Sequence, residues 1–399
     1  MDAHLLQWLN LALRWGHLIT GIAWIGTSFY FIWLNFRLAP PARPEAGVNG
    51  ELWAVHGGGF YRVVRYAVAP ERLPPTLHWF KWEAYATWVT GFALLGLIYY
   101  VQADAYLLPP ARPLLSTGAA VAVGIGSLVA AWFGYDALCR SPLARRPGGF
   151  ALVGLVLVAG LAWALNQVLN PRAAYIHVGA ALGTIMAGNV FRVIIPVQKA
   201  MVAALSRGEA PDPTAARAGA QRSLHNNYLT LPVLFVMVSN HYPATYGHPW
   251  GWAVLAGVAL VGAATRHWFN RHHQGRRGAW LLAASVLGLL ALAVATAPGR
   301  GPGPAALGPA EPAALFREAR VVIVRRCAPC HSAAPTIAGL SAPAAGVALD
   351  TPAEIRAQAA RIYAVAVAAE TMPLGNVTGM TAEERVLLGR WIAAGAGLR

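Results

Sequence analysis

Long apolar runs alternate with short basic segments along most of the chain. A helix that crosses a bilayer needs about 20 mostly apolar residues, and eight stretches before residue 298 approach or exceed that length. They run over Leu9–Phe36, Trp82–Val101, Thr117–Leu138, Phe150–Leu169, Ala173–Ile195, Ser223–Asn240, Trp250–Trp268 and Ala279–Ala297. The sixth is the most polar, because a His-Asn-Asn run opens it and a proline lies in its middle. The pattern predicts an all-α protein with an eight-helix transmembrane bundle over residues 1–297.

The composition supports lipid as the surrounding solvent. Of the 399 residues, 57% are hydrophobic and 12% are charged, whereas soluble domains carry about 25% charged residues. The net charge of +15 would also suit nucleic acid. Here, however, the basic residues lie in short segments between apolar runs, which is the pattern of membrane topology. We therefore expect a lipid bilayer as a partner and no nucleic acid.

The basic residues also indicate an orientation. The segments after the first, third, fifth and seventh apolar stretches are rich in Arg and Lys, whereas the intervening segments hold only Arg112 and Arg172. Because basic loops remain in the cytoplasm, the N-terminus is expected outside, and eight crossings return the C-terminus to the same side. In a bacterium, this predicts a multi-pass inner-membrane protein with its N-terminus and its C-terminal domain in the periplasm.

A small domain is expected after the apolar region. Residues 298–311 are rich in Pro and Gly, which is typical of a linker, and residues 312–399 carry Cys327 and Cys330 followed by His331. In such a CxxCH motif both thiols attach covalently to one haem c, and the adjacent histidine ligates the iron. A zinc half-site is the alternative, but no second Cys/His pair lies nearby in the sequence. The motif predicts a small, class I-like cytochrome c domain.

A second ligand to the haem c iron is also expected from this domain. Met372 follows His331 at a distance sufficient to reach the opposite haem face, and Met380 is the alternative. A Met/His pair raises the reduction potential, as an electron acceptor requires. Phe316 and Trp391 are predicted to pack together on the first and last helices of the domain.

Two histidines lie in the predicted outer halves of spans. His17 shares a helix face with Gly21, and His177 shares one with Ala181, each one turn further on. The small residues leave space for a flat macrocycle, so the two histidines are candidate axial ligands of a second, non-covalent haem b. The alternative is a pair of hydrogen-bonded interfacial histidines, because Gly and Ala are common where membrane helices pack.

A denser polar group lies at the predicted cytoplasmic ends of the spans. Its members include imidazoles, amides and aromatic rings, whereas a rim that only anchors helix ends would consist of Lys and Arg. They are Phe60, His78, Lys81, Trp82, Glu83, Tyr85, His225, Asn226, Asn227, Thr230 and Arg266. Ionisable residues within spans are functional candidates, so the group predicts a binding site for a polar ligand.

Three segments of the chain resemble a known family. Leu77–Tyr85 reads LHWFKWEAY, Gly183–Val190 reads GTIMAGNV and His225–Phe235 reads HNNYLTLPVLF. All three are similar to segments of the bacterial membrane-bound urate oxidases (urate hydroxylases) that carry a C-terminal cytochrome c domain. The resemblance extends over nearly the whole chain, including Leu349–Pro352 and Met372–Asn376. It implies oxidation of urate towards 5-hydroxyisourate in purine catabolism, with electrons passed to the haem c and the respiratory chain without hydrogen peroxide.

On this resemblance, urate is the expected substrate, and a terminal oxidase or a soluble cytochrome is the expected electron acceptor. Urate is a planar anion that needs cations, aromatic faces and directional hydrogen bonds, and the inner polar group offers all three. The expected catalytic residues are His78, Lys81, Glu83, His225 and Thr230, with His78 or His225 as the base. The expected substrate-binding residues are Phe60, Trp82, Tyr85, Asn226, Asn227 and Arg266.

Three alternatives stay open on the sequence, and one of them is a transporter with a cytochrome sensor, in which the inner polar group binds a permeant. A substrate site on the periplasmic side, near His177 and His241, would shorten the electron route and remove the need for haem b. A membrane cytochrome that carries electrons from quinol or another donor, without urate chemistry, would need a quinone pocket instead of an anion site.

Overall fold

The computed structural model describes residues 3–109, 114–297, 312–337, 340 and 342–398. The chain is mostly helical, with 70% helix and 5% strand, which confirms the predicted predominance of helix. The predicted linker 298–311 and the predicted loop residue Arg112 lie outside the described residues.

Helices account for nearly all the regular structure before residue 298. They are α1 (Ala3–Arg37), α2 (Trp82–Leu95), α3 (Ala103–Tyr106), α4 (Thr117–Arg140), α5 (Pro147–Val168), α6 (Pro171–Gly188), α7 (Ile195–Ser206), α8 (Pro213–Ser239), α9 (Pro243–Tyr246), α10 (Gly251–His273) and α11 (Ala279–Ala295). Wider π-helical turns extend α2 through Gly96–Tyr100 and join α6 to α7 through Asn189–Ile194. Each predicted span therefore coincides with a helix or with a helix and its continuation.

Length and hydropathy separate these helices into two sets. In the part of the chain that the structure describes, four helical segments are long and apolar enough to cross a membrane: His4–Arg37, Thr117–Arg140, Pro147–Val168 and Pro171–Ser206. The apolar helix α11 is shorter, with 17 residues, and α2 has 14 residues before its π-helical turn. The helices α8 and α10 are long enough but carry more polar and charged side chains.

The helix starts follow from local sequence. α5, α6 and α8 each have proline in the first turn, where its missing N–H costs no helical hydrogen bond. Asn170 caps α6 by accepting a hydrogen bond from the Arg172 N–H at 3.1 Å, and Asp212 caps α8 by accepting one from the Thr214 N–H at 2.8 Å. These caps set where α6 and α8 begin, and α8 carries four of the predicted site residues, His225, Asn226, Asn227 and Thr230.

The helix α6 lies at the centre of the bundle. It packs against α2, α4, α5 and α8 and buries residues along most of its length. A Cβ added at Gly179 would lie 2.4 Å from Val236 Cγ1, and one added at Gly188 would lie 2.4 Å from the Trp132 ring. Small residues therefore allow the neighbours of α6 to approach closely, as is typical of helix association in membranes.

A β-hairpin interrupts the connection between α1 and α2. Strand β1 (Val48–His56) pairs antiparallel with β2 (Gly59–Tyr66). Gly57 and Gly58 have φ angles of 56° and 81°, as a two-residue type I′ turn requires. The hydropathy pattern predicts only a loop here, so the hairpin corrects the predicted all-α fold.

The C-terminal region forms a second hydrophobic core around four helices. They are α12 (Pro312–Arg326), α13 (Pro352–Ala357), α14 (Ala359–Ile362), which continues through the π-helical turn Tyr363–Ala368, and α15 (Ala382–Ala393). α12 packs against α15, and the ring centroids of Phe316 and Trp391 are 5.7 Å apart. The predicted contact between these two aromatic residues is confirmed.

The C-terminal helices lie against one end of the bundle, which we call the docking end and define by Ala105, Asn170, Asn240 and Tyr246. The approach is close at two glycines. A Cβ added at Gly247 would lie 2.6 Å from the Ala364 carbonyl oxygen, and one added at Gly375 would lie 3.3 Å from the Ala105 Cα. The two hydrophobic cores are therefore in direct contact.

Candidate functional site

A cavity of about 280 Å³ lies between the docking end and the C-terminal helices. Cys327, His331 and Met372 line it together with apolar residues such as Leu349 and Ile362. The thiols of Cys327 and Cys330 are both free. The structure thus places three of the four residues predicted around a haem c, Cys327, His331 and Met372, at one cavity, and we call this space the CxxCH cavity.

Backbone and side-chain hydrogen bonds orient His331. Its N–H donates to the Cys327 carbonyl at 2.9 Å, which closes the turn of the motif. Its Nδ1 donates to the Val347 carbonyl at 3.2 Å, so Nε2 is left as the ring nitrogen that can ligate a metal. A histidine whose second nitrogen is held by a backbone carbonyl is typical of metal ligands.

The two candidate methionines have different surroundings. Met372 lines the CxxCH cavity, whereas Met380 belongs to the hydrophobic core of the C-terminal region and is 3% exposed. The Met380 N–H donates to Asn376 Oδ1 at 2.9 Å. This geometry favours Met372 as the second iron ligand.

Arg385, which no sequence motif marks, supports the loop that carries Met372. Its Nη1 donates to the carbonyls of Ala366 and Met372, the latter at 2.8 Å. The guanidinium is 4% exposed, and burial lowers the pKa of Arg385. No motif marks the opposite wall of the cavity either, because its residues lie at helix ends. There, Arg172 donates to Asn240 Oδ1 at 3.0 Å.

Within the bundle, one buried polar network surrounds Arg222, and we call it the Arg222 cluster. Arg222 Nη2 lies 2.6 Å from Asp136 Oδ1, and its Nη1 donates to Asn189 Oδ1 at 3.2 Å. Asn189 Nδ2 in turn donates to Asn226 Oδ1 at 2.8 Å, and Asn226 Nδ2 donates to the Met186 carbonyl at 3.0 Å. Since both ends of its amide are engaged, Asn226 joins α8 to α6 and offers no free group to a ligand.

His225 belongs to the same side of α8. Its Nδ1 is 2.8 Å from the Tyr135 hydroxyl, and its ring stacks on Phe150 with centroids 4.6 Å apart. These partners come from α4 and α5, so His225 faces away from α10.

A second network lies between α8 and α10, and we call it the Arg266 cluster. Asn227 Oδ1 accepts from Arg266 Nε at 3.1 Å and from Asn270 Nδ2 at 3.1 Å. The guanidinium carbon of Arg266 lies 4.0 Å from the centroid of the Phe29 ring on α1. Asn227 Nδ2 is buried and has no hydrogen-bond partner among the described residues. The cluster therefore combines a buried cation with a free amide donor.

Two polar pairs adjoin this cluster on α8. Thr230 is fully buried, and its hydroxyl donates to the Asn227 carbonyl at 2.7 Å. The Tyr228 hydroxyl lies 2.7 Å from His267 Nδ1, and the two rings stack. Sequence periodicity places His267 on the helix that bears Arg266, but it does not show this contact with Tyr228.

The predicted residues around α2 form a separate group. His78 packs edge-on against Phe80, Lys81 Nζ lies 5.7 Å from the Trp82 ring centroid, and the Tyr85 ring contacts Phe191. One carboxylate oxygen of Glu83 is buried without a partner among the described residues. Phe60 lies on β2 and is 78% exposed.

The predicted substrate residues thus fall into three sets. Asn227, Thr230 and Arg266 are brought together. His225 and Asn226 lie on other faces of α8. Among the described residues, no hydrogen bond, ion pair or ring contact joins Phe60, His78, Lys81, Trp82, Glu83 or Tyr85 to the Arg266 cluster.

His17 and His177 also have different surroundings. His17 Nδ1 lies 3.0 Å from the Thr87 carbonyl and 3.1 Å from the Thr90 hydroxyl on α2. His177 is fully buried, with Nδ1 2.8 Å from the Ala173 carbonyl and Nε2 3.2 Å from the Tyr100 hydroxyl. A Cβ added at Gly124 would lie 2.7 Å from His177 Nε2. His177 Nε2 is therefore closely packed against Gly124 and engaged by Tyr100, in contrast to the surroundings of His17.

Fold and sites define a mostly helical protein with apolar helices of membrane-spanning length and buried polar clusters. The sequence profile of the family described as "Urate oxidase N-terminal" matches residues 3–297. The chain therefore belongs to that family, which indicates a urate-related oxidoreductase of purine catabolism. No curated protein and no solved structure matches the chain.

Proposed function

We propose that this protein oxidises urate at the bacterial inner membrane and passes the electrons through a covalently bound haem c to the respiratory chain, without forming hydrogen peroxide. The family supports urate as the substrate. The observation that carries the electron route is the CxxCH cavity, in which Cys327, His331 and Met372 face the docking end of the bundle.

The residues of this cavity fit a c-type haem. Two free thiols have the attachment spacing, His331 presents Nε2, and Met372 supplies a thioether beside apolar residues. When bound, that haem takes up electrons one at a time and delivers them to a terminal oxidase or a soluble cytochrome.

We further propose that the helical region crosses the membrane eight times and that the C-terminal region is a class I-like cytochrome c domain in the periplasm. Four helices of sufficient length and hydropathy support a membrane location. The more polar helices α8 and α10 would cross with their polar faces inside the bundle. Asn227 and Arg266, which lie on those faces, are buried.

The Arg266 cluster is the proposed urate site. Arg266 would balance the charge of the urate anion, and Asn227 Nδ2 would donate to a urate carbonyl. A buried donor without a partner costs about 1 to 3 kcal/mol, so a ligand acceptor at this position would stabilise the protein. The ring of Phe29 already packs on the guanidinium and would extend an aromatic face to the purine.

The reaction converts urate monoanion and water into 5-hydroxyisourate, one proton and two electrons. A base must take a proton from the water that attacks C5. His267 adjoins the cluster, and its Nδ1–H can donate to the Tyr228 oxygen 2.7 Å away, which leaves Nε2 as the base. We therefore propose His267 in this role, in place of His78 or His225.

The direct test uses purified protein under anaerobic conditions. Urate should reduce the c-type haem while the urate absorbance falls, at one urate consumed per two electrons delivered. The double variant Cys327→Ser/Cys330→Ser should lose covalent haem staining of the polypeptide, whereas Cys139→Ser should keep it. Reduction of the haem by quinol but not by urate would instead identify an electron carrier without urate chemistry.

A further inference from the structure

A second, larger cavity lies inside the bundle between α1, α2, α6 and α8. Its volume is about 600 Å³, within the usual range of about 300 to 1,000 Å³ for ligand and cofactor sites. Apolar residues dominate its lining, which includes Trp24, Trp88 and Phe92. An occupant of this space must be large and mostly apolar, which urate is not.

His17, one of the histidines that line this cavity, is oriented like a metal ligand. The Thr87 carbonyl can only accept a hydrogen bond, so His17 Nδ1 carries the proton, and His17 Nε2 has no hydrogen bond among the described residues. A backbone carbonyl on one ring nitrogen fixes the tautomer and frees the other nitrogen for a metal. Gly91 makes room for this ring, because an added Cβ would lie 2.8 Å from His17 Cε1.

The walls beside His17 suit a flat group with acidic substituents. Gly183 on α6 lines the cavity, and a Cβ added there would meet no atom within 4 Å. Arg14, one turn before His17 on α1, also lines the cavity and places a cation at its edge. A planar apolar ring system with carboxylate arms complements this combination of imidazole, open glycine wall and guanidinium.

The cavity also adjoins the CxxCH cavity. Asn240 and His241, at the end of α8, line both spaces. A redox group held near His17 would therefore adjoin the space of the c-type haem. The same helix, α1, also carries Phe29, whose ring packs on Arg266, so α1 connects the Arg266 cluster with the cavity beside His17.

We propose that this cavity binds a non-covalent b-type haem, with His17 Nε2 as an axial ligand of its iron and Arg14 beside its carboxylates. In the urate-oxidising role proposed above, each electron from urate would reduce the b-type iron, and the c-type iron would then reoxidise it. No bond forms or breaks in these transfers. The relay rests on the proposed function, whereas the haem-binding site does not.

The test measures haem content in protein purified after expression with adequate haem supply. Pyridine haemochrome spectra of the wild-type protein should show b-type and c-type haem in equal amounts. His17→Ala should lose the b-type signal and keep the c-type signal. His177→Ala is the matched control and should keep both, because Tyr100 and Ala173 occupy its ring nitrogens.

A second variant guards against misfolding of His17→Ala. Gly183→Leu leaves His17 intact but fills the cavity, so it too should lose b-type haem while its c-type haem still forms. Wild-type protein without b-type haem, or variants of His17 and Gly183 that retain it, would overturn the proposal. Loss of b-type haem in His177→Ala alone would do the same. These measurements need no urate. Failure of the haem-binding proposal can therefore be told apart from failure of the proposed urate oxidation.

Discussion

Arg266 Nε on α10 lies 3.1 Å from the side-chain oxygen of Asn227 on α8. That contact fixes the orientation of the Asn227 amide, because its oxygen also accepts from Asn270. The amide nitrogen must then point the other way, where it is buried without a partner among the described residues. The pair thus combines one buried cation with one buried amide donor that has no partner among the described residues.

Replacing Arg266→Gln should weaken urate binding. Loss of a charge-assisted hydrogen bond, about 1.5 to 3 kcal/mol, corresponds to a rise in KM of roughly tenfold to a hundredfold. Urate-driven reduction of the c-type haem measures this, with the dithionite-reduced spectrum as a check that the haem is intact. The exposed Arg276→Gln is the matched control and should behave as wild type. An unchanged KM in Arg266→Gln would place the urate site elsewhere.

His267→Gln should lower kcat for urate, whereas His225→Gln should retain most of it per mole of haem c. The two side chains lie in different surroundings: His267 adjoins the Arg266 cluster, whereas His225 faces Tyr135 and Phe150. Single-turnover reduction by saturating urate separates the two variants. The reverse result would move the chemistry to the Arg222 cluster.

Asp136→Ala should destabilise the helical bundle strongly. Asp136 is the carboxylate partner of buried Arg222 at 2.6 Å, and an unpaired buried charge costs about 3 to 5 kcal/mol. Asp136 also pairs with Arg140, whose side chain is 76% exposed, so Arg140→Ala should cost only about 0 to 1 kcal/mol. Thermal unfolding in detergent compares the two variants. Equal midpoints would show that the Asp136–Arg222 pair contributes little to stability.

Met372→Leu should lower the reduction potential of the c-type haem and abolish the sulfur-to-iron charge-transfer band of the oxidised protein, because a Met/His pair raises the potential. Met380→Leu conserves volume in a hydrophobic core, so it should cost less than about 1.5 kcal/mol of stability and leave the band in place. Potentiometric titration with optical detection reads both effects. A band lost only in Met380→Leu would exchange the two roles.

Labelling of single cysteines should reveal the orientation of the chain. In a Cys139→Ser background, Tyr242→Cys should react with an impermeant maleimide from the periplasmic side, and Gln274→Cys should react only after cell lysis. Tyr242 follows α8 at the docking end, and Gln274 follows α10 in a basic segment. The opposite pattern would invert the proposed topology.

Hydropathy alone located the helices well. The predicted stretch Thr117–Leu138 lies within α4, and Leu9–Phe36 lies within α1. The largest errors in helix boundaries are at the end of α7, which continues eleven residues past the predicted Ile195 to Ser206, and at the start of α8, which begins ten residues before the predicted Ser223, at Pro213. Those first turns are polar, so a criterion based on apolar length could not include them. The hairpin was missed because its alternating segments are short and mostly exposed.

The sequence predicts the residues around the CxxCH cavity more specifically than those of the substrate site. Covalent spacing ties Cys327, Cys330 and His331 to one chemistry, whereas the ligands of a substrate depend on how each helix is rotated. His225, Asn226 and Asn227 are consecutive, yet each faces a different part of the bundle. His225 faces α4 and α5, Asn226 faces α6, and Asn227 faces α10. Composition marked the run as functional, but only packing shows that one of the three has a free donor.

The close contact between Gly247 and Ala364 has a consequence for how electrons would leave the helical bundle. The C-terminal region contacts the bundle through closely approaching backbones. Electron transfer to it would therefore need no large domain movement. A haem bound in the CxxCH cavity as proposed would have its bundle-facing edge covered, so a soluble acceptor would dock on the opposite side. Electrons would then pass between two groups held at a fixed separation. A bulkier side chain at residue 247 would increase that separation without altering either redox site.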